Sequence, residues 1–365
     1  MKHWVLKKIC CPICHEDLSI NDFNQAEEKE TTDGVLICIN SSCKSWYPIH
    51  NGVPRLLPFN LRKDKTLEFY QEHKTYLEKI NISLNDELQL SDELIDLKKH
   101  TIENFGFEWT EYSRFGWDDE KYNIDFEKKV FEKKSLMAKS DLDEGVTLDA
   151  GCGNGRYAFW SSRSAKKVIG MDLGDAVDAA YQNTKDENNI AIIQGDIFQP
   201  PFRDETFHAI YSIGVLMHTG DAKRATESLT RTLMKRGKIT IHLYGQGNFI
   251  YEYFDKKIRL KTVQYSIPKL QRFTDRMFSF YKILRFFRIE KVVQWFVRID
   301  PHPHCIFDWY SAPIATHHTY SEAKSWFKEF NLRVIASNET TNPTFYRRML
   351  LKISAPTVTL KGEKQ

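Results

Sequence analysis

Short apolar runs alternate with longer mixed segments in the second half of this chain. VTLDA at 146–150, KVIGMD at 167–172 and IAIIQGDI at 190–197 have the length and β-branched content of buried strands. Further runs of this kind occur at 207–221, 238–244, 332–337 and 345–354. The alternation predicts an α/β fold. With right-handed crossovers, this becomes a doubly wound, Rossmann-like sheet of seven strands that binds its ligand at the carboxyl ends of the strands.

The first of these runs leads into a loop with glycine at every second position. In VTLDAGCGNGR, Gly151, Gly153 and Gly155 permit a sharp turn and a close approach of the backbone to a ligand. The spacing is G-x-G-x-G rather than the dinucleotide pattern G-x-G-x-x-G, and Asp149 stands two residues before the first glycine. A carboxylate there would repel a pyrophosphate but could hold the ammonium group of S-adenosylmethionine, directly or through water. We therefore predict that cofactor.

Acidic residues also end the next two predicted strands. Asp172 stands 23 residues after Asp149 and could accept both ribose hydroxyls. Asp196 could bond the adenine amino group, and Ile197 could flank the ring. The predicted cofactor-binding residues are Asp149, Gly151, Cys152, Gly153, Gly155, Asp172, Leu173, Asp196, Ile197 and Ser212. Three strand-end acids in order are a more specific signal than a glycine loop alone.

These motifs resemble those of the class I S-adenosylmethionine-dependent methyltransferases, and the resemblance runs from about Phe105 to Ser354. The segments most similar to one bacterial subgroup, which carries an N-terminal zinc ribbon, are FGFEW (105–109), FHAIYSIGVLMHTGD (207–221) and RTLMKRGKITIHLY (231–244). Members of that subgroup commonly read GVLHHTPD where this chain has GVLMHTGD, so Met217 departs from the pattern and His218 keeps it. The resemblance implies a methyltransferase sheet whose last strand is antiparallel.

Two close cysteine pairs near the N-terminus have the spacing of a tetrahedral thiolate site. The predicted metal ligands are Cys11, Cys14, Cys38 and Cys43. Four thiolates favour structural Zn²⁺, which a segment of this size with little core needs as a staple. A metal-free cluster of reduced cysteines and the use of Cys10 instead of Cys11 are the alternatives. WYPIHNGVPRLLP (46–58) resembles the end of small zinc-ribbon proteins that partner and activate translation-related methyltransferases, which implies a zinc fold and a docking surface for a protein partner.

The region between this unit and the main domain is rich in Glu, Lys and Leu. Residues 60–99 predict one or two solvated helices. The following FGFEWTEYSRFGW (105–117) is a dense, loop-like aromatic stretch that could pack across the cofactor pocket as a lid, with Trp109 against the substrate. A plain hydrophobic anchor for the linker is the alternative.

A basic insertion is predicted after the fifth strand, at 246–300. Between Asp255 and Asp300 there are twelve Lys or Arg and four acidic residues, interleaved with aromatics. KILRFFRIEKVVQWFVRI (282–299) has the spacing of an amphipathic helix. A helical cap over the substrate pocket is the first interpretation, while contact with a membrane surface or with an RNA backbone are the alternatives.

Methyl transfer is an in-line displacement, so the protein must mainly align the acceptor and exclude water. His218, just past strand four, is the first candidate for a general base, and the alternative is a histidine that only shapes its loop. A metal site at 302–305 is disfavoured because no second thiolate is near. The resemblance implies a substrate-facing loop farther on. From it we predict Asp308 and Tyr310 as further catalytic residues, and Trp309 and His318, with Trp109, as substrate contacts.

Composition sets the remaining limits. A chain of 365 residues with 41% hydrophobic residues and a net charge of +3 is long enough for one large and one small domain and shows no global affinity for polyanions. No apolar leader or membrane span is recognisable, so a cytoplasmic location is expected. The predicted units are a zinc ribbon (1–58), a helical linker (59–104), the methyltransferase domain (105–355) with its insertion, and a tail (356–365).

Three functions are consistent with these features. The first is S-adenosylmethionine-dependent methylation of a small or lipid-linked metabolite. The second is methylation of tRNA, rRNA or a translation protein, suggested by the relatives of the ribbon and by the basic insertion. The third is a zinc-ribbon interaction protein whose cofactor domain has lost turnover.

Overall fold

The computed structural model describes residues 1–23, 30–84, 94–118, 122–246, 249–294, 296–339 and 357–365. Among these residues, no helix is both long enough and apolar enough to cross a membrane. The predicted strand at 345–354 lies outside the described residues.

The described residues form an α/β structure built on one eleven-stranded sheet in the order β1-β2-β3-β4-β7-β6-β5-β8-β9-β11-β10. From β7 to β9 the strands are parallel, and β11 pairs antiparallel with both β9 and β10. The strands of this part are β5 Val146–Ala150, β6 Lys167–Asp172, β7 Ile190–Gly195, β8 Phe207–Ile213, β9 Leu233–Tyr244, β10 Leu332–Ser337 and β11 Thr357–Lys364.

Both faces of the sheet are buried, which explains why its strands read as continuous apolar runs. Ile169 and Met171 of β6 belong to one hydrophobic cluster, while Val168 of the same strand belongs to a second cluster. Neighbouring side chains of a strand point to opposite faces, so the two clusters lie on the two faces of the sheet.

The N-terminal strands extend this sheet instead of forming a separate one. They are β1 Leu18–Asp22, β2 Gly34–Cys38, β3 Trp46–His50 and β4 Val53–Leu56, each antiparallel to the next. Strand β4 pairs in parallel with β7, with Arg55 opposite Gln194. The sheet therefore has eleven strands, because the N-terminal unit, predicted to be separate from the seven-stranded sheet, pairs with an edge strand that offers free backbone groups.

The predicted tail at 356–365 is wrong, since Thr357–Lys364 is strand β11. It lies between β9 and β10, and Val358 and Leu360 are buried. Its Lys361 Nζ donates to Asp141 Oδ2 at 2.9 Å. The segment TVTLKGEK alternates apolar and polar residues, but its charged end is also typical of a solvated tail. Its pairing with β9 and β10 is what identifies it as a strand.

The helices of the described residues are α1 Phe59–Glu72, α2 Lys74–Lys79, α3 Ile95–Glu111, α4 Ile124–Ser135, α5 Lys139–Leu142, α6 Arg156–Ser162, α7 Ala176–Thr184, α8 Ala222–Thr232, α9 Phe249–Thr262, α10 Ile267–Phe286, α11 Glu290–Val293, α12 Pro303–Ser311 and α13 Tyr320–Glu329. The linker is helical as predicted, but it is not merely solvated, because Phe69 and Leu77 pack into a hydrophobic cluster with Trp46. The predicted aromatic loop at 105–117 is largely helical, as the C-terminal part of α3.

The insertion is helical, but 282–299 is not one helix. Helix α10 ends at Phe286, and Arg288 adopts a left-handed backbone conformation with φ of +57° before α11 begins. The amide of Ile289 closes the turn on the carbonyl of Leu284. The break lets Leu284 and Ile299 pack in the same cluster, which a continuous helix would keep apart.

Candidate functional site

A cavity of about 500 Å³ opens at the carboxyl ends of the parallel strands, between α3 and α12. This is the position where open α/β sheets bind ligands. The predicted site residues that line it are Trp109, Gly151, Cys152, Gly153, Asp172, Leu173, Asp196, Ile197, His218, Asp308 and Trp309. The tertiary structure therefore brings residues from distant parts of the chain to one cavity.

The glycine loop between β5 and α6 forms one wall of this cavity. Gly151 has φ of +88°, and a Cβ there would lie 2.2 Å from the side chain of Val215. The amide of Gly151 donates to the carbonyl of Met171 at 2.7 Å. The alternate glycines thus let the loop turn beneath the residues that follow β8.

The carboxylate of Asp172 fixes this loop against the end of β6. Its Oδ2 accepts from the amide of Gly153 at 2.9 Å, and its Oδ1 accepts from the amide of Gly174 at 3.0 Å. Burial raises the pKa of Asp172, and these backbone donors oppose that shift. Each oxygen keeps a lone pair for a further donor, as a ribose diol requires.

Asp149 lies behind the loop and does not line the cavity. Its side chain is 1% exposed, and burial raises its pKa to about 8, an effect that the hydroxyl of Tyr211 partly offsets. Gly155 begins α6 with φ of +84°, and the hydroxyl of Ser212 donates to the carbonyl of Ala150. The structure therefore places these three predicted residues behind the cavity wall, where they shape the loop.

Asp196 also lines the cavity and is already ion-paired. Lys98 Nζ lies 2.5 Å from its Oδ2, and both side chains are buried. The Oδ1 atom accepts from the amide of Phe198, whose ring lies 5.0 Å from the Lys98 ammonium. Sequence analysis missed Lys98 because one lysine in a linker rich in Lys and Glu carries no distinguishing signal.

His218 lies in the short turn after β8 and faces the cavity. Its Nδ1 is 2.7 Å from the carbonyl of Ile314, so Nδ1 must carry the donated proton and Nε2 keeps a lone pair. Nε2 is buried without a hydrogen-bond partner, and the rings of Phe105 and Tyr244 lie beside the imidazole. Burial lowers the pKa of His218 to about 4, so the ring is neutral at neutral pH.

The residues predicted from the DWYS segment divide into two groups. Asp308 and Trp309 of α12 line the cavity, and the indole of Trp309 donates to Asp255. Tyr310 does not, because its hydroxyl donates to the carbonyl of Arg298 and its ring is fully buried. His318 is likewise outside, bonded to Thr316 and Glu322 through its two ring nitrogens. Adjacent residues of a helix point in different directions, so Tyr310 of α12 lies outside the cavity that Trp309 lines. His318 follows α12 and also lies outside the cavity, contrary to the prediction that it contacts the substrate there.

Further charged and polar residues of the cavity were not predicted. They include Glu127, Lys134, Arg156, His242, Arg298, His304 and Cys305. The guanidinium of Arg156 bonds the carboxylate of Glu127 at 2.9 Å. Their positions depend on how α4, α6 and α12 converge, so nothing in the sequence pattern identifies them. Among the described residues, 302–305 forms no group of three or more potential metal ligands.

The four predicted cysteines come together at the N-terminal end of the sheet. The sulfur atoms of Cys11, Cys14, Cys38 and Cys43 all lie within 4.8 Å of one another. Tetrahedral zinc with Zn–S bonds near 2.3 Å requires sulfur separations of about 3.8 Å. The structure selects Cys11, because the sulfur of Cys10 points instead toward Nδ1 of His15.

A family model described as a methyltransferase domain matches residues 148–241, which contain the glycine loop, Asp172, Asp196 and His218. This segment of the chain is therefore similar to a methyltransferase domain. The tRNA U34 carboxymethyltransferase of Campylobacter curvus is 30% identical over 133 residues, 34% of this chain and 45% of that protein. The demethylmenaquinone methyltransferase of Staphylococcus saprophyticus is 29% identical over 122 residues, 32% of this chain and 52% of that protein.

The chain thus spans about half the length of these curated relatives. Among solved structures, the YcgJ protein of Bacillus subtilis aligns with 66% of this chain and 97% of its own, at 15% identity and a TM-score of 0.39.

Proposed function

We propose that this protein is an S-adenosylmethionine-dependent methyltransferase that acts on a small or lipid-linked acceptor. The observation that carries the proposal is one cavity with two chemically distinct ends. The glycine loop, Asp172 and Asp196 form one end, and His218, Asp308 and Trp309 form the other.

The residues of the first end fit the cofactor. Asp172 offers a half-buried carboxylate for the ribose hydroxyls, and Ile197 and Leu173 offer apolar surface for the adenine. The buried Oδ2 of Asp149 has no hydrogen-bond partner and stands behind the loop that would face the methionine end. S-adenosylmethionine, when bound, supplies a methyl group on a sulfonium that reacts by in-line displacement.

At the second end, the chain has groups that can orient an acceptor. The rings of Trp309 and Tyr244 pack against each other with centroids 4.4 Å apart and planes tilted by 32°, and Asp308 and Arg298 add opposite charges. The lone pair on Nε2 of His218 can take a proton from an acceptor hydroxyl or amine. The aromatic side chains that line the cavity would reduce the access of bulk water as a competing acceptor.

The first test is calorimetric titration of the purified protein with S-adenosylmethionine and S-adenosylhomocysteine. We expect micromolar binding that Asp172→Ala abolishes. The control variant Asp186→Ala changes an exposed carboxylate outside the cavity and should bind as the wild type does. Absence of binding in zinc-replete protein would contradict the proposal and favour the non-catalytic interaction protein. If binding is found, transfer of a labelled methyl group to metabolite and lipid extracts then tests turnover.

Methylation of RNA is the second candidate, supported by the name of the Campylobacter curvus relative and by the basic insertion. Affinity for RNA would fall steeply with salt, because phosphate contacts release counterions. Label transfer to tRNA that declines between 50 and 200 mM salt, with none to extracts of metabolites or lipids, would replace the first proposal by the second.

We also propose that the four-cysteine cluster holds structural Zn²⁺. Four sulfur ligands leave no open coordination position, so this metal would stabilise the N-terminal strands and take no part in methyl transfer. Because β4 pairs with β7, the metal-bound unit would also support the edge of the sheet beside Asp196.

A further inference from the structure

The end of the insertion exposes an unusual number of large apolar side chains. Phe286 is 82% exposed, Phe287 63% and Ile283 55%. Phe280, Ile289 and Val292 are also exposed. We call residues 280–292 the arm tip. Single exposed apolar residues are ordinary, but six within thirteen positions concentrate apolar area in one segment, which indicates an interaction surface.

These side chains are not needed by the core of the insertion. Tyr281 and Leu284, on the other face of α10, pack with Ile299 in a cluster of their own. Phe280, Ile283 and Phe287 follow one another at helical spacing on the outward face. The arm tip therefore has two apolar faces, and the chain covers one of them.

Basic side chains alternate with the exposed apolar ones. Lys282, Arg285, Arg288 and Lys291 are exposed, whereas Glu290 is the acidic residue of the arm tip. No carboxylate of the described residues lies within ion-pair distance of these four cations. The patch thus combines apolar area with a local positive charge that the protein does not neutralise.

We propose that the arm tip binds the surface of an anionic lipid bilayer. An aromatic and aliphatic face flanked by Lys and Arg matches an interface where acyl chains lie beneath phosphate groups. An RNA backbone would satisfy the cations but leave Phe286 and Phe287 in water. A bilayer satisfies both features at once, because each exposed phenyl ring enters an apolar layer while the cations remain at the headgroups.

The arm tip also leads directly to the cavity. Arg298 follows Val292 by six residues and lines the cavity beside Trp309. If the proposed methyltransferase function holds, membrane binding would bring the enzyme to the surface that holds a lipid-linked acceptor. Membrane binding itself does not depend on that function.

The experiment is flotation of the full-length protein with vesicles of phosphatidylcholine alone and of phosphatidylcholine with 30% phosphatidylglycerol. We expect the protein to bind the anionic vesicles and to bind the neutral vesicles about tenfold more weakly. The double variant Phe286→Ser/Phe287→Ser tests the apolar component, and it should bind the anionic vesicles about tenfold more weakly than the wild type. Arg285→Glu/Arg288→Glu should abolish binding.

Matched controls change exposed residues elsewhere. Lys166→Glu/Lys185→Glu alters the same net charge away from the arm tip, and Ile39→Ser removes an exposed apolar residue from the N-terminal unit. Both should float as the wild type does. Thermal unfolding and titration with S-adenosylmethionine show whether each variant is folded, and they report on the cofactor proposal separately.

Three outcomes would overturn the inference. They are no flotation of the wild type, flotation unaffected by the phenylalanine variant, and equal loss in the distant charge control. A filter-binding assay with tRNA tests the alternative. If no flotation is seen, and the wild type and the phenylalanine variant retain tRNA while the glutamate variant does not, the arm tip is an RNA-binding surface.

Discussion

The ammonium of Lys98 lies 2.5 Å from Oδ2 of Asp196, and this buried ion pair joins α3 to the loop after β7. It closes one end of the cavity with a residue from the linker. A carboxylate that could accept the adenine amino group is therefore shared with a lysine from another element. The same contact fixes α3, which also presents Phe105 and Trp109 to the cavity.

We expect that breaking this pair from either side destabilises the protein. Lys98→Met removes the cation that pairs with the buried carboxylate of Asp196, and Asp196→Asn removes the buried negative charge that faces the Lys98 ammonium, each at a cost of about 3–5 kcal/mol. The double variant should cost clearly less than the sum, because it leaves neither charge alone. Urea unfolding of the four proteins gives the coupling free energy. Additive losses would contradict the importance of the pair.

The environment of His218 predicts the pH dependence of turnover. With a pKa lowered to about 4 by burial, the imidazole loses its base function only as pH falls toward that value. The rate should therefore show no inflection near pH 6.5 from this group. His218→Ala should lower kcat by about 10²-fold or more. The exposed His100→Ala on α3 is the control, and unchanged kcat in His218→Ala would leave the histidine a structural role.

Burial of Asp149 predicts that stability decreases as pH rises. Its pKa is about 8 in the folded protein and near 3.8 when unfolded, so the folded state holds more protons between these values. The contribution of this group is therefore greatest at low pH and is lost as pH rises to about 8. Asp149→Asn removes the titrating proton, so the decrease in Tm between pH 6 and 9 should become smaller. An identical decrease in both proteins would be incompatible with this assignment.

Alanine variants of two glycines in the cavity wall distinguish the effect of backbone strain from the effect of a steric clash. Both glycines have positive φ. A Cβ added at Gly151 would lie 2.2 Å from the side chain of Val215, whereas a Cβ added at Gly214 would meet nothing within 4 Å. Gly214→Ala should cost only the left-handed strain of about 1–2 kcal/mol. Gly151→Ala should cost more, and it should also weaken cofactor binding because the loop must move. Equal losses of stability in the two variants would contradict this, because they would show that the loop at Gly151 relieves the steric clash by moving.

The cysteine cluster predicts one Zn²⁺ for each chain. Elemental analysis should find this metal in the wild type and lose it in Cys14→Ser, with a lower Tm because the N-terminal strands lose their link. Cys10→Ser is the matched control, since its sulfur lies outside the cluster, near His15. Full metal content in Cys14→Ser, or loss in Cys10→Ser, would contradict the ligand set.

Sequence by itself determined the features that depend on local pattern. The buried strands β5 to β8, the turn at Gly151 and Gly153 and the cysteine pairs each follow from apolar runs, backbone freedom or ligand spacing within a short segment. Local pattern also placed Asp172 and Asp196 at strand ends, where topology carries them to one edge of the sheet.

Only the tertiary structure decided which side chains share the cavity and which support it from behind. Lys98 and Arg298 enter from the linker and the insertion, while Asp149, Tyr310 and His318 lie outside. It also decided that the N-terminal strands extend the sheet and that 357–364 is a strand, not a tail. These outcomes depend on the packing of elements far apart in the chain, and neither periodicity nor motif spacing measures the distance between them.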